Sequence, residues 1–173
     1  TRVALYRGDT LLGSVDKPVG QFTVPAGPAA YRLEASATRA QPSTLSTSVS
    51  SVWTFRSGHV PAEKSQRLPL STVRLSPPLD ELNAARAGRH FDIPLTVQWQ
   101  PGSSAGRTKR VSVEVSYDDG QTWQRAVVTG SGEHRVVKVK HPKAAGFASL
   151  RVQAGDDAGN TVTQTVIRAY AIS

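Results

Sequence analysis

At 173 residues the chain is sized for one ordinary domain or two small ones, and 38% hydrophobic with 6% aromatic content is lean for a single large core. It has no cysteine, which excludes a disulfide framework and thiol chemistry, and no apolar run approaches the roughly 20 residues needed to span a bilayer as a helix. Lys and Arg number 21 against 13 acidic residues, a formal +8, which invites a polyanion partner such as nucleic acid, an anionic cell wall or acidic lipid. The charges are nevertheless dispersed. Their densest run, Arg107-Thr108-Lys109-Arg110, is short and has no aromatic beside it, so a solvated basic surface is expected and no nucleic-acid partner. The absence of methionine points to a piece of a longer chain, and Thr1 does not open a signal peptide, because no apolar core follows a basic start.

The first elements read as short extended runs at Val3–Tyr6, Gly20–Val24, Tyr31–Ala37 and Ser46–Phe55. Between the first two, Arg7-Gly8-Asp9-Thr10 has strong turn chemistry; it also spells an adhesion tripeptide, which any such turn can spell by chance. In Ser46–Phe55, small hydroxyl residues mix with β-branched and aromatic ones, a composition suited to a strand and poor for a helix. Periodicity stops between Ser57 and Pro69, marking a linker open to proteolysis and setting domains at 1–69 and 70–173.

Beyond the linker the pattern is more regular. Val73 and Leu75 alternate with polar neighbours, and Leu79–Arg89 carries a short helical pattern with a stop at Gly88. Phe91, Ile93, Leu95, Val97 and Trp99 share one parity, a period of two that defines a strand, in which Pro94 asks for an edge position or a bulge. Val111–Tyr117 repeats the alternation, followed by Thr122–Val128, Arg135–Lys140, Ala148–Ala154 and Thr161–Ala169. Strands spaced about ten residues apart predict a sandwich. The expected fold is all-β, two β-sandwich-like domains, the second immunoglobulin/fibronectin-III-like. The first has few strands for a closed sandwich; it is either incomplete at its start or packed against its neighbour.

Ser116-Tyr117-Asp118-Asp119-Gly120-Gln121-Thr122-Trp123 matches the Asp-box form Ser-x-Asp-x-Gly-x-Thr-Trp. Asp can accept turn amides, Gly120 takes the left-handed conformation and Trp123 packs over the hairpin. A propeller would need several copies, and there is one. Asp156-Asp157-Ala158-Gly159-Asn160 is a second turn, whose Asp156, Asp157 and Asn160 are the oxygen donors a calcium ion would use; the loop lacks the EF-hand spacing. His59, His90, His134 and His141 have no partner at ligand spacing and are expected at the surface, so no metal site is assigned. No Gly-x-Ser-x-Gly elbow, subtilisin signature, Walker A or dinucleotide motif occurs, so no catalytic or cofactor-binding residue is assigned and no enzyme activity is expected of this chain.

Val52–Pro61, Leu68–Arg74 with Pro78-Leu79-Asp80, Val113–Trp123 and the closing Asp157–Tyr170 together resemble the C-terminal tail of large secreted bacterial subtilisin-like (S8) serine peptidases. The resemblance spans nearly the whole chain. It implies a secreted, extracellular non-catalytic region with an upstream peptidase domain in the same polypeptide, and protein substrate or cell wall as further partners; the chain is expected to be a monomer. The alternative is a basic binding module for an anionic cell-wall polymer or glycan, for which Trp53, Trp99 and Trp123 would supply aromatic contacts. A protease-inhibitor loop at Ser57–Pro69 is a third reading, disfavoured because holding so mobile a segment costs ordering entropy.

Overall fold

A computed structural model describes residues 1–173, and every regular element in it is a strand. The first segment holds β1 (Arg2–Arg7), β2 (Thr10–Val15), β3 (Ala29–Thr38) and β4 (Ser48–Ser57). The second holds β5 (Ser71–Leu75), β6 (Ala84–Ala85), β7 (His90–Trp99), β8 (Thr108–Ser116), β9 (Gln124–Arg125), β10 (Val127–Ser131), β11 (His134–Lys140), β12 (Gly146–Asp156) and β13 (Thr161–Ile172). They make a nine-stranded sheet, ordered β2-β1-β3-β4-β13-β12-β8-β9 with β6 joined to β13, and a four-stranded sheet ordered β10-β11-β7-β5.

Within the second segment, β5, β7, β11 and β10 take the A, B, E and D places of an immunoglobulin-type sandwich, and β8, β12 and β13 the C, F and G places. The alternation predicted from sequence builds its core. Ile93, Leu95 and Val97 of β7 face Val113 and Val115 of β8 and Leu150, Val152 and Ala154 of β12 in one cluster of 17 buried residues. Val111, expected inside with them, is only partly buried at the rim of that cluster.

Pro94 lies in an inner strand, where proline is rare. The strand is nonetheless locally an edge there: β5 pairs with β7 only as far as Leu75–Leu95. The Pro94 carbonyl still accepts the Ser76 amide at 2.9 Å, and the donor that Pro94 lacks has no strand opposite it.

Three local expectations are corrected. Gly20–Val24 is not a strand. Gly8 and Asp9 close a two-residue hairpin with Arg7 opposite Thr10, so the next residues pair at once as β2. Gly8 supplies φ +59° at that turn. The helical pattern at Leu79–Arg89 forms no helix, because the Asp80 carboxylate takes the amides of Leu82 and Ala84, each at 2.9 Å, that a helix would need. Asn83 then turns left-handed at φ +57°, and Ala84–Ala85 bridge in parallel to Ala171–Ile172. Thr122–Val128 is two strands: β9 finishes the large sheet, and after Ala126 the chain enters the small one as β10.

No strand forms at residues 58–70, where the linker was expected, apart from an isolated bridge between Arg67 and Ser103. The sheet nevertheless runs across from one segment to the other, since Ser48–Thr54 of β4 pairs antiparallel with Thr161–Ile167 of β13. The first segment thereby covers the outer edge of the sandwich, an edge that would otherwise present unpaired backbone groups.

Candidate functional site

The Asp-box turn links β8 to β9. Asp118 Oδ1 accepts the Ser116 hydroxyl at 2.7 Å and the Thr122 amide at 2.8 Å, while Oδ2 accepts the Thr122 hydroxyl at 2.5 Å. Chiefly through the Thr122 hydroxyl and amide, and then Ser116, the Asp118 carboxyl is held down at about 2. Gly120 has φ +86°, and Trp123 closes over it with its indole N–H on the Gly120 carbonyl at 3.0 Å. Arg168 adds a clamp that sequence reasoning did not find, a fork of 2.8 and 2.7 Å onto both Asp119 oxygens. Arg168 itself has φ +55°, at an irregularity between Ala148 and Leu150 in the β12–β13 ladder, and its amide is taken by the Ser149 hydroxyl at 2.9 Å. The carboxylates of Asp118 and Asp119 and the hydroxyls of Ser116 and Thr122 are thus engaged in holding the turn.

The Asp156–Asn160 turn is likewise inward-looking. Asp156 is buried; its Oδ1 accepts the Asn160 amide, and its Oδ2 accepts the Asn160 side-chain amide and the Gly106 amide, each at 2.7 Å. Asp157 Oδ1 takes the Arg107 amide at 2.9 Å. The three residues named for calcium thus tie the β12–β13 turn to the loop before β8. No group of three or more His, Cys, Asp or Glu side chains is placed to hold a metal ion.

Of the histidines, His141 departs from expectation: it is buried, boxed by the rings of Phe91, Tyr117 and Tyr170. Its Nε2 lies 2.9 Å from the Tyr170 hydroxyl and its Nδ1 3.2 Å from the Arg86 carbonyl. A neutral ring that donates from Nδ1 and accepts at Nε2 satisfies both contacts. Burial lowers the imidazole below its ordinary 6.5 and raises both tyrosine hydroxyls. The unfolded chain therefore binds a proton, between pH 6.5 and the lowered value, that the folded chain refuses. This contribution to stability is complete above pH 6.5 and is lost as pH falls below it. Urea midpoints of the native chain should drop between pH 7 and pH 5 more steeply than those of His141→Gln; equal slopes would show that His141 titrates normally.

The tryptophans do not assemble a binding platform. Trp99 is buried, with its N–H on the Thr108 hydroxyl at 2.9 Å; Trp123 covers its own hairpin beneath the Arg151 guanidinium, 4.4 Å from its ring centroid. Trp53 packs between the two hydrophobic clusters and donates to the Ser71 carbonyl at 2.7 Å.

The first segment offers a different kind of surface. No residue of β1, β2 or β3 belongs to the large cluster. Their own cluster has three buried members, Leu5, Tyr31 and Phe55, roofed by Phe22 and Leu70 rather than by a second sheet. Tyr31 and Phe55 stack at 5.9 Å and floor an open groove of about 410 Å³. At its rim Val24 and Leu68 stay 45% and 39% exposed, and His59 also lines it. Sequence reasoning placed too few strands here for a closed sandwich, and one sheet layer is what forms. Among known proteins, no family model and no curated sequence matches this chain.

Proposed function

We propose that this chain is the non-catalytic accessory region of a secreted subtilisin-like serine peptidase, which stabilises the enzyme or aids its engagement of protein substrate or the cell surface. The half-roofed sheet of the first segment is the observation that supports the reading. A single layer whose hydrophobic cluster has three buried members is a marginal core by itself, because small units bury a smaller share of their surface. It gains stability if another domain lies on the groove floored by Tyr31 and Phe55. The immunoglobulin-type second segment then serves as a rigid platform whose loops remain available for recognition.

The test is to compare the peptidase with and without this region. Removing it should lower the thermal midpoint of the peptidase domain or its turnover of folded protein substrate. In the joined protein, amides of β1 and β3 should exchange with deuterium more slowly than in the isolated chain. Unchanged midpoint, turnover and exchange would overturn the reading.

A further inference from the structure

The Arg107–Arg110 run does not act as a block. Arg107 gives its amide to Asp157, Thr108 is buried, and Lys109 and Arg110 stand exposed on β8. Two distant cations join them: Arg125 from β9 and Arg135 from the start of β11 line the same groove, of about 650 Å³. None of the four makes an ion pair; the ion pairs of this chain use Arg32, Lys138, Arg151 and Arg168. Arg135 is held in place by the carbonyls of Gly132 and Gly130, at 3.0 and 2.9 Å, which orients the guanidinium and leaves its charge unneutralised. The carboxylates on the adjoining strands are engaged elsewhere, Glu114 by Arg151 at 2.7 Å and buried Asp156 by amides. Gathering four like charges without a counter-charge opposes folding, so stability does not account for the arrangement.

We propose that this groove binds an extended polymer of sugars or polyols bearing phosphate or sulfate groups. Three of the four cations are arginines, whose planar fork matches the oxygens of such groups and stays charged at any working pH. Between the cations, Ser112, Gln153 and Thr163 add donors and acceptors suited to the hydroxyls of such a chain. No aromatic side chain lines the groove, so it lacks the stacking surface that single-stranded nucleic acids use. The site lies on the second segment, and its test is independent of the peptidase reading.

Binding is measured by titration calorimetry with a sulfated polysaccharide, a poly(glycerol phosphate), neutral dextran and single-stranded DNA, at low and physiological salt. The first two should bind, and more weakly as salt rises; dextran should not. Arg110→Glu with Arg125→Glu should weaken binding by about tenfold or more, each unit charge contact being of the order of 1 kcal/mol in wet surroundings. Arg39→Glu with Arg89→Glu changes the net charge equally at exposed positions outside the groove and should cost much less. Both doubles are checked for an unchanged thermal midpoint, and Arg110→Gln with Arg125→Gln replaces the first should it fail to fold. Equal losses in the two doubles, tighter binding of DNA than of either polymer, or no binding of the polymers would each overturn the proposal.

Discussion

Val113→Asp should leave the sandwich of the second segment unfolded at room temperature, whereas Glu114→Lys should leave it folded. Val113 is fully buried at the centre of the 17-residue cluster, paired across β8 and β12 with equally buried Val152. A carboxylate there has neither an ion partner nor water, and an uncompensated buried charge costs about 3–5 kcal/mol, comparable with the whole stability of a small domain. Glu114 points the other way and pairs with Arg151 at 2.7 Å, both side chains about a third exposed. Pairs so exposed contribute about 0–1 kcal/mol, and a lysine adds modest repulsion toward Arg151. Urea titration followed by tryptophan fluorescence reads both, since Trp99 sits in the same core. A larger loss for Glu114→Lys would mean that the alternate face of β8 is the buried one.

That contrast could be written from sequence because β7 and β8 carry their apolar residues at strict alternation, and a strand buried on one face has no other way to satisfy that pattern. The Asp-box turn was legible for a related reason: its bonds run between residues two to four apart, so eight consecutive letters contain most of the chemistry. What escaped is long-range. The joining of the two segments rests on β4 pairing with β13, strands about a hundred positions apart, and neither carries a letter that names the other. The Arg168 fork onto Asp119 spans 49 residues, and the four-cation groove draws on three strands from two sheets. His141 looked like a surface residue because it precedes a proline turn; its burial depends on Phe91 and Tyr170, which sequence distance hides. β2 was missed because Leu11 and Leu12 are followed by Gly13 and Ser14, a weak strand pattern that pairs only because the hairpin turn precedes it.

Asp156→Ala should be the most damaging single change among the exchanges that remove a side chain from a turn of this chain. The carboxylate holds three amide donors at 2.7 Å, and two of them belong to Asn160, which is itself buried. Losing it strands donors away from water, at about 1–3 kcal/mol for each one left unsatisfied. It also unties Gly106 from the β12–β13 turn, where space is already exhausted: a β-carbon at Gly106 would collide with Asp157 Oδ1 and crowd the Ala158 amide. Gly106→Ala should therefore destabilise the same junction by steric means, with the Asp156 carboxylate left in place. Asp156→Asn separates charge from shape, keeping one oxygen acceptor but turning the other position into a donor that faces donors, so its loss should approach that of alanine. Thermal midpoints with added calcium and with a chelator complete the argument. An amide-holding carboxylate gives the same midpoint in both, and the variants fall by the same amount in both. A native midpoint that rises with calcium, with the rise abolished in Asp156→Asn, would instead assign Asp156, Asp157 and Asn160 to the ion and free the amides from the role given to them here.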